Sequence, residues 1–173
     1  DKVGGILLYK KNYKNQEELV KLVNSMKEIN AKNPIPIFIA TDQEGGRVNR
    51  MPKEFLNLPS AYQLAQYQEE NLVAQAGEIA GNMMGKLGFN LNLAPVLDIK
   101  RFEDNHAIGD RAFSKDKEEV FQNGLTYFKQ LEKFQILPVV KHFPGHGATT
   151  RDSHFGIPII KGKQKELLEK EDE

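Results

Sequence analysis

Apolar residues in this chain come in short runs separated by stretches where they recur every three or four positions. That alternation predicts strands and helices in turn. Val3 to Tyr9 is the first run, and after it Leu19, Leu22, Val23, Met26 and Ile29 stand at helical spacing. Ile35 to Ala40 is a second strand, punctuated by Pro34 and Pro36, and a Gly-rich loop follows. The next predicted element is a long helix opened by Pro59 and Ser60, with Val73, Ala76, Ala80, Met83 and Leu87 on one face and Gly88 as its stop. Phe89 to Leu97 is a third strand, a helix from about Asp116 presents Val120, Leu131 and the aromatics between them, and Ile136 to Val140 is a fourth strand. The order βαβαβαβ predicts an α/β fold with parallel strands and crossover helices. No internal repeat, low-complexity tract or linker interrupts it.

Polar clusters stand just past each run. Asn12 to Lys14 follow the first, Asp42, Gln43 and Glu44 the second, Asp98 the third, and Lys141 and His142 the fourth. Residues distant in sequence are thereby expected to converge on one rim. A (β/α)8 barrel builds its site at such strand ends, and a doubly wound sheet does the same at its switch point, so both architectures fit the pattern.

Length and composition narrow the partners. A chain of 173 residues buries one core of ordinary size, so a single domain over residues 1–173 is expected. Its 24 Lys and Arg cancel its 24 Asp and Glu, leaving no field that would recruit nucleic acid or an anionic membrane; a small neutral ligand fits better. No apolar run approaches the roughly 20 residues of a membrane span. With no cysteine, disulfides and thiolate chemistry are excluded. The chain opens at Asp1 without a signal-peptide pattern. The cytoplasm is the expected compartment, and an exported form stays open because a targeting segment can lie upstream.

The richest stretch is KHFPGHGATTRDSHFGIP, Lys141 to Pro158, which reads as an active-site loop. Asp152 and His154 stand two apart within it, close enough for a carboxylate to orient and charge an imidazole. His142, His146, His154 and Asp152 are also possible Zn²⁺ ligands, but their spacing matches no common zinc motif and Lys141 places a cation beside them. No Walker sequence or GxGxxG fingerprint suggests a nucleotide cofactor. Gly45-Gly46 serves equally as a simple turn. Gly109-Asp110-Arg111 reads either as a salt bridge closing a loop or as part of a site, and His106 reads as an ordinary loop histidine.

ATDQEGGRVNRM (Ala40 to Met51), NLAPVLDI (Asn92 to Ile99), IGDRAFS (Ile108 to Ser114) and KHFPGHGATTRDSH (Lys141 to His154) closely resemble the glycoside hydrolase family 3 β-N-acetylhexosaminidases, in order and spacing. The D-S-H loop marks the N-acetylglucosaminidase branch over the related β-glucosidases. The resemblance implies a (β/α)8 TIM barrel, of which this chain covers about half. It also implies removal of terminal β-linked N-acetylglucosamine with retention of configuration, often from peptidoglycan fragments, with no cofactor and no metal. His154 would be the general acid/base and Asp152 its orienting partner. Asp42 would accept hydrogen bonds from sugar hydroxyls, while Arg50, Arg111, Lys141 and His142 would donate around the ring.

The family's nucleophile is an aspartate in a later motif, and only 19 residues follow His154. The chain is therefore expected to be a fragment or the observed part of a longer protein, to lack turnover alone, and to associate with the remainder of a barrel. A family 3 β-glucosidase or phosphorylase, or a non-catalytic sugar-binding remnant, are the alternatives.

Overall fold

A computed structural model describes residues 3–67, 71–102 and 105–149 of the chain. Four strands, β1 (Gly5–Leu7), β2 (Phe38–Thr41), β3 (Leu91–Asn92) and β4 (Leu137–Pro138), form one parallel sheet in sequence order. The register pairs Ile6 with Ile39, Ala40 with Leu91 and Asn92 with Pro138. Helices α1 (Gln16–Asn30), α2 (Ala61–Ala65), α3 (Leu72–Leu87) and α4 (Lys117–Lys133) occupy the connections. Consecutive parallel strands joined by helices are the arrangement the periodicity predicts.

The strands are shorter than the apolar runs, and the backbone explains why. Past β3 the chain meets Pro95, which has no N–H to place in a ladder, and contact resumes only at an isolated bridge between Val96 and Lys141. In β4, Leu137 and Val139 donate to Asn90 and Asn92 of the β3 segment at 2.9 Å each. Pro138 between them faces the other side, where among the described residues no strand lies, so its missing donor disrupts nothing.

Helix ends follow capping chemistry. Asn15 accepts from Glu18 N at 2.9 Å, and Asp116 from Glu119 N at 3.0 Å. Ser60 and Gln63 form a reciprocal capping box at the start of α2. Gly88 terminates α3 at φ 88°, in the left-handed region. The single long helix expected after Ser60 is instead two helices, with Asn71 at φ 50° before α3. A non-glycine residue in the left-handed region does not continue an α-helix, so the chain is interrupted at Asn71 before α3.

α3 lies against α4 over small residues. A Cβ added at Gly77 would come 2.9 Å from the Gln130 Cβ, and one at Gly81 would come 2.7 Å from the Phe134 ring. Val73, Ala76, Ala80, Met83 and Leu87 are all buried, as expected, together with Val120, Tyr127 and Leu131 of α4. Two expected core residues are outside it: Ile29, in the last turn of α1, is 82% exposed, and Phe121 is 53% exposed. Leu19 and Val23 carry the burial of α1.

Candidate active site

The polar groups gather just past the C-terminal ends of β2, β3 and β4. Beyond Thr41, Gln43 turns inward: its N–H donates to Asn92 Oδ1 at 2.9 Å, and its carbonyl accepts from Asn92 Nδ2 at 3.0 Å. Gln43 Oε1 accepts from Arg50 N at 2.8 Å. Gln43 and Asn92 are fully buried, and pairing them satisfies groups that would otherwise cost about 1–3 kcal/mol each. Gly45 and Gly46, at φ 94° and 53°, then reverse the chain; a Cβ on Gly45 would lie 2.6 Å from Pro59 O. The returning segment brings Arg50 back, with Nη2 3.9 Å from Asp42 Oδ2 and its guanidinium 5.7 Å from the Tyr9 ring centre.

Lys141 joins this loop from β4. Its Nζ lies 3.0 Å from Asp42 Oδ1 and forms a close ion pair with Glu44 Oε1. Arg111, in the turn Gly109–Arg111, grips Glu44 with two bonds, Nε to Oε2 and Nη2 to Oε1, both 2.8 Å. Nη1 is held by Ala107 O at 2.9 Å, which fixes the plane of the fork. Arg111 Nη2 is also 3.2 Å from His142 Nε2, and His142 Nδ1 is 2.5 Å from Asp98 Oδ2. One continuous chain of contacts therefore runs from Arg50 through Asp42, Lys141, Glu44, Arg111 and His142 to Asp98.

Three carboxylates, Asp42, Glu44 and Asp98, face three permanent cations, Arg50, Arg111 and Lys141. Burial alone would raise the Glu44 carboxyl, but the hydrogen bonds and charges of Arg111 and Lys141 outweigh it and hold the group below its ordinary value. Burial likewise opposes ionisation of Asp98, and donation from His142 and from His146 N overcomes it, so this carboxyl is also held low. Burial works against the Arg111 charge, and Glu44, Asp98 and Asp42 reverse that effect and raise its pKa. The result is a fixed, balanced set of donors and acceptors suited to a neutral polyhydroxylated ligand.

Of the residues the sequence nominated, Asp42, Arg50, Arg111, Lys141 and His142 lie together on this rim. Asp152 and His154 lie outside the described residues. The Gly109-Asp110-Arg111 segment serves both of its readings, since Asp110 pairs with Arg47 at 3.4 Å while Arg111 enters the site. The first polar cluster does not join the site: Asn12 Oδ1 accepts from Tyr9 N, which closes a local turn, and Tyr13 OH donates to Arg50 O at 2.5 Å from beneath. Burial pushes the Tyr13 hydroxyl up to about 12, with Arg50 working against it, so it stays a donor. Glu44 and Asp98 were visible only as polar residues at strand ends; their roles depend on Arg111, 67 residues from Glu44, and His142, 44 residues from Asp98. Among the described residues no group of His, Cys, Asp and Glu is arranged to hold a metal, and no helix is long and apolar enough to cross a membrane.

Comparison with known proteins agrees with this geometry. A β-hexosaminidase of Photobacterium profundum is 37% identical over 91% of this chain and 46% of its own length. The structure of NagZ from Neisseria gonorrhoeae in complex with N-trifluoroacetyl-D-glucosamine superposes with a TM-score of 0.85 at 33% identity, covering 96% of this chain and 50% of that one. A glycoside hydrolase family 3 β-N-acetylglucosaminidase from Paenibacillus gives a TM-score of 0.88 at 32% identity, over 95% of this chain and 32% of that one. The chain thus spans about half of these proteins' length or less. The four-stranded sheet is part of a (β/α)8-barrel-type domain, which decides between the two architectures that the strand ends left open. Residues 1–172 match the glycosyl hydrolase family 3 N-terminal domain, and with that match added to the parallel sheet and its polar rim, the chain belongs to glycosyl hydrolase family 3.

Proposed function

We propose that this chain forms the sugar-binding part of a retaining β-N-acetylhexosaminidase that removes terminal β-linked N-acetylglucosamine, including from peptidoglycan fragments. The observation that carries this reading is the single contact chain from Arg50 and Asp42 to His142 at the strand ends of a family 3 chain. Asp42 and Lys141 sit side by side and partly open to solvent, offering an acceptor and a donor to vicinal hydroxyls, while Arg50 and Arg111 extend the donor row. His154 protonates the glycosidic oxygen as the C1–O bond breaks, and Asp152 orients and charges its imidazole. In the second half-reaction the neutral imidazole takes a proton from the attacking water. An imidazole suits both steps because it titrates near neutrality.

A nucleophile must face the opposite side of the anomeric carbon. Asp42 is paired with Lys141, Glu44 is gripped by Arg111, and the Asp98 side chain has no solvent exposure. Their engagement favours a nucleophilic carboxylate supplied from elsewhere in the complete enzyme. The test is hydrolysis of aryl β-N-acetylglucosaminides by the full-length protein, with the first-formed sugar expected as the β-anomer. Preference for aryl β-glucosides would replace the proposal with a β-glucosidase, and cleavage of neither would defeat it. His154→Ala is expected to lower turnover of poor-leaving-group substrates by about 10²-fold, with a smaller loss where the leaving group needs little protonation.

A further inference from the structure

We propose that Asp98 is a positioning residue that locks His142 as the Nδ1–H tautomer, making its Nε2 a hydrogen-bond acceptor beside Arg111. The same carboxylate fastens the entry of the loop that leads in sequence to Asp152 and His154. The inference rests on the proposed function only in taking the pocket's occupant to be a sugar.

Two independent contacts select the tautomer. A carboxylate can only accept, and His142 Nδ1 lies 2.5 Å from Asp98 Oδ2, so the proton between them resides on the imidazole. A guanidinium can only donate, and Arg111 Nη2 lies 3.2 Å from Nε2, so Nε2 presents its lone pair. An imidazolium would keep the first contact but set an N–H against a cation already committed to Glu44. The neutral Nδ1–H form satisfies both sides at once. His146 contributes no competing bond, since its ring stands 6.3 Å away, edge-on, and its ring nitrogens have no partner among the described residues.

Asp98 is built for this task. Its side chain is completely buried, and its oxygens receive three donors from one neighbouring segment: His142 Nδ1, His142 N at 3.2 Å and His146 N at 2.5 Å. Burial opposes its charge, yet those donors keep it ionised. The consequence for recognition differs from the donor role that the family resemblance implies for His142. Nε2 carries no N–H to give to a sugar hydroxyl; its single lone pair takes the Arg111 Nη2 proton, or a hydroxyl proton where the ligand displaces that contact.

The test is ¹⁵N NMR of the His142 side chain in the full-length protein at neutral pH, with the signal assigned by its loss in His142→Gln. The expected spectrum has a protonated Nδ1 and an unprotonated Nε2. A protonated Nε2, alone or in an imidazolium, overturns the proposal, and the wild-type protein suffices to show it. Asp98→Ala removes the acceptor of the Nδ1 proton and the anchor of His142 N and His146 N, so the Nδ1–H is expected to lose its strong hydrogen bond and kcat/KM on β-N-acetylglucosaminides to fall about 10–100-fold, as when a buried partner orienting a functional imidazole is removed. A folded Asp98→Ala protein with an unchanged Nδ1–H signal and unchanged turnover also overturns it. If the wild type shows the tautomer but cleaves no β-N-acetylglucosaminide, the functional reading fails while the role of Asp98 stands.

Discussion

Two ion pairs of nearly equal length sit in opposite surroundings. Glu17 and Lys21, one turn apart on α1, meet at 2.6 Å with about three-quarters of each side chain exposed. Glu44 and Arg111, separated by 67 residues, meet at 2.8 Å with 7% and 16% exposed. On α1, water and salt screen the attraction, and holding two long side chains in place offsets most of what remains. On the rim, each charge depends on the other because neither has enough water to turn to. Separation alone says little about what a pair does; the surroundings decide whether it decorates a helix or fixes a site.

The sharpest way to break the comparison is Arg111→Ala, which leaves Glu44 with Lys141 as its remaining cation. A loss of about 3–5 kcal/mol is expected in urea unfolding of the full-length protein, together with loss of sugar binding. A loss below about 1 kcal/mol would mean that the rim is as well hydrated as α1.

Acid should separate the pairs next. The Glu44 and Asp98 carboxyls are held below their ordinary values, so their stabilisation is complete above that range and is lost as pH falls through the depressed folded-state values. Glu44→Gln should therefore lower the thermal midpoint at neutral pH by a constant amount. The gap to wild type should close below pH 4.5, the ordinary value of the group, as wild-type Glu44 takes up its proton. A gap that persists undiminished after wild-type Glu44 has been protonated would show that the effect is steric.

The smallest effect is expected from Lys21→Ala, which should leave the unfolding midpoint unchanged at moderate salt. A resolved shift there would restore distance as a guide.

The sequence was legible wherever the signal is local. Hydrophobic spacing located all four strands and the faces of α3 and α4, and Ser60, Gly88 and Asp116 marked helix ends because capping chemistry is confined to a few adjacent residues. Strand length was not legible, since a ladder depends on which N–H groups meet a neighbouring carbonyl, and Pro95 and Pro138 alter that inventory. The rim was visible as polar residues past strand ends. The division of labour within it was not: Asp42 and Glu44 look alike in sequence, and only the partners from the turn Gly109–Arg111 and from Lys141 make one partly open and the other buried. The roles of Asp98 and Asn92 were hidden for the same reason, because a buried carboxylate or amide is defined by the donors and acceptors that surround it.

Pro138 has a consequence for association. On the outward side of β4 it offers a carbonyl and no N–H, and Ile136, two residues before, already donates its N–H to Leu131 O at 3.2 Å. A strand docking there must bring donors to an edge rich in acceptors, and a stray extended peptide seeking to exchange both kinds of bond finds the exchange incomplete. Among the described residues this side of β4 is therefore polarised toward accepting, a backbone feature that hinders indiscriminate strand pairing.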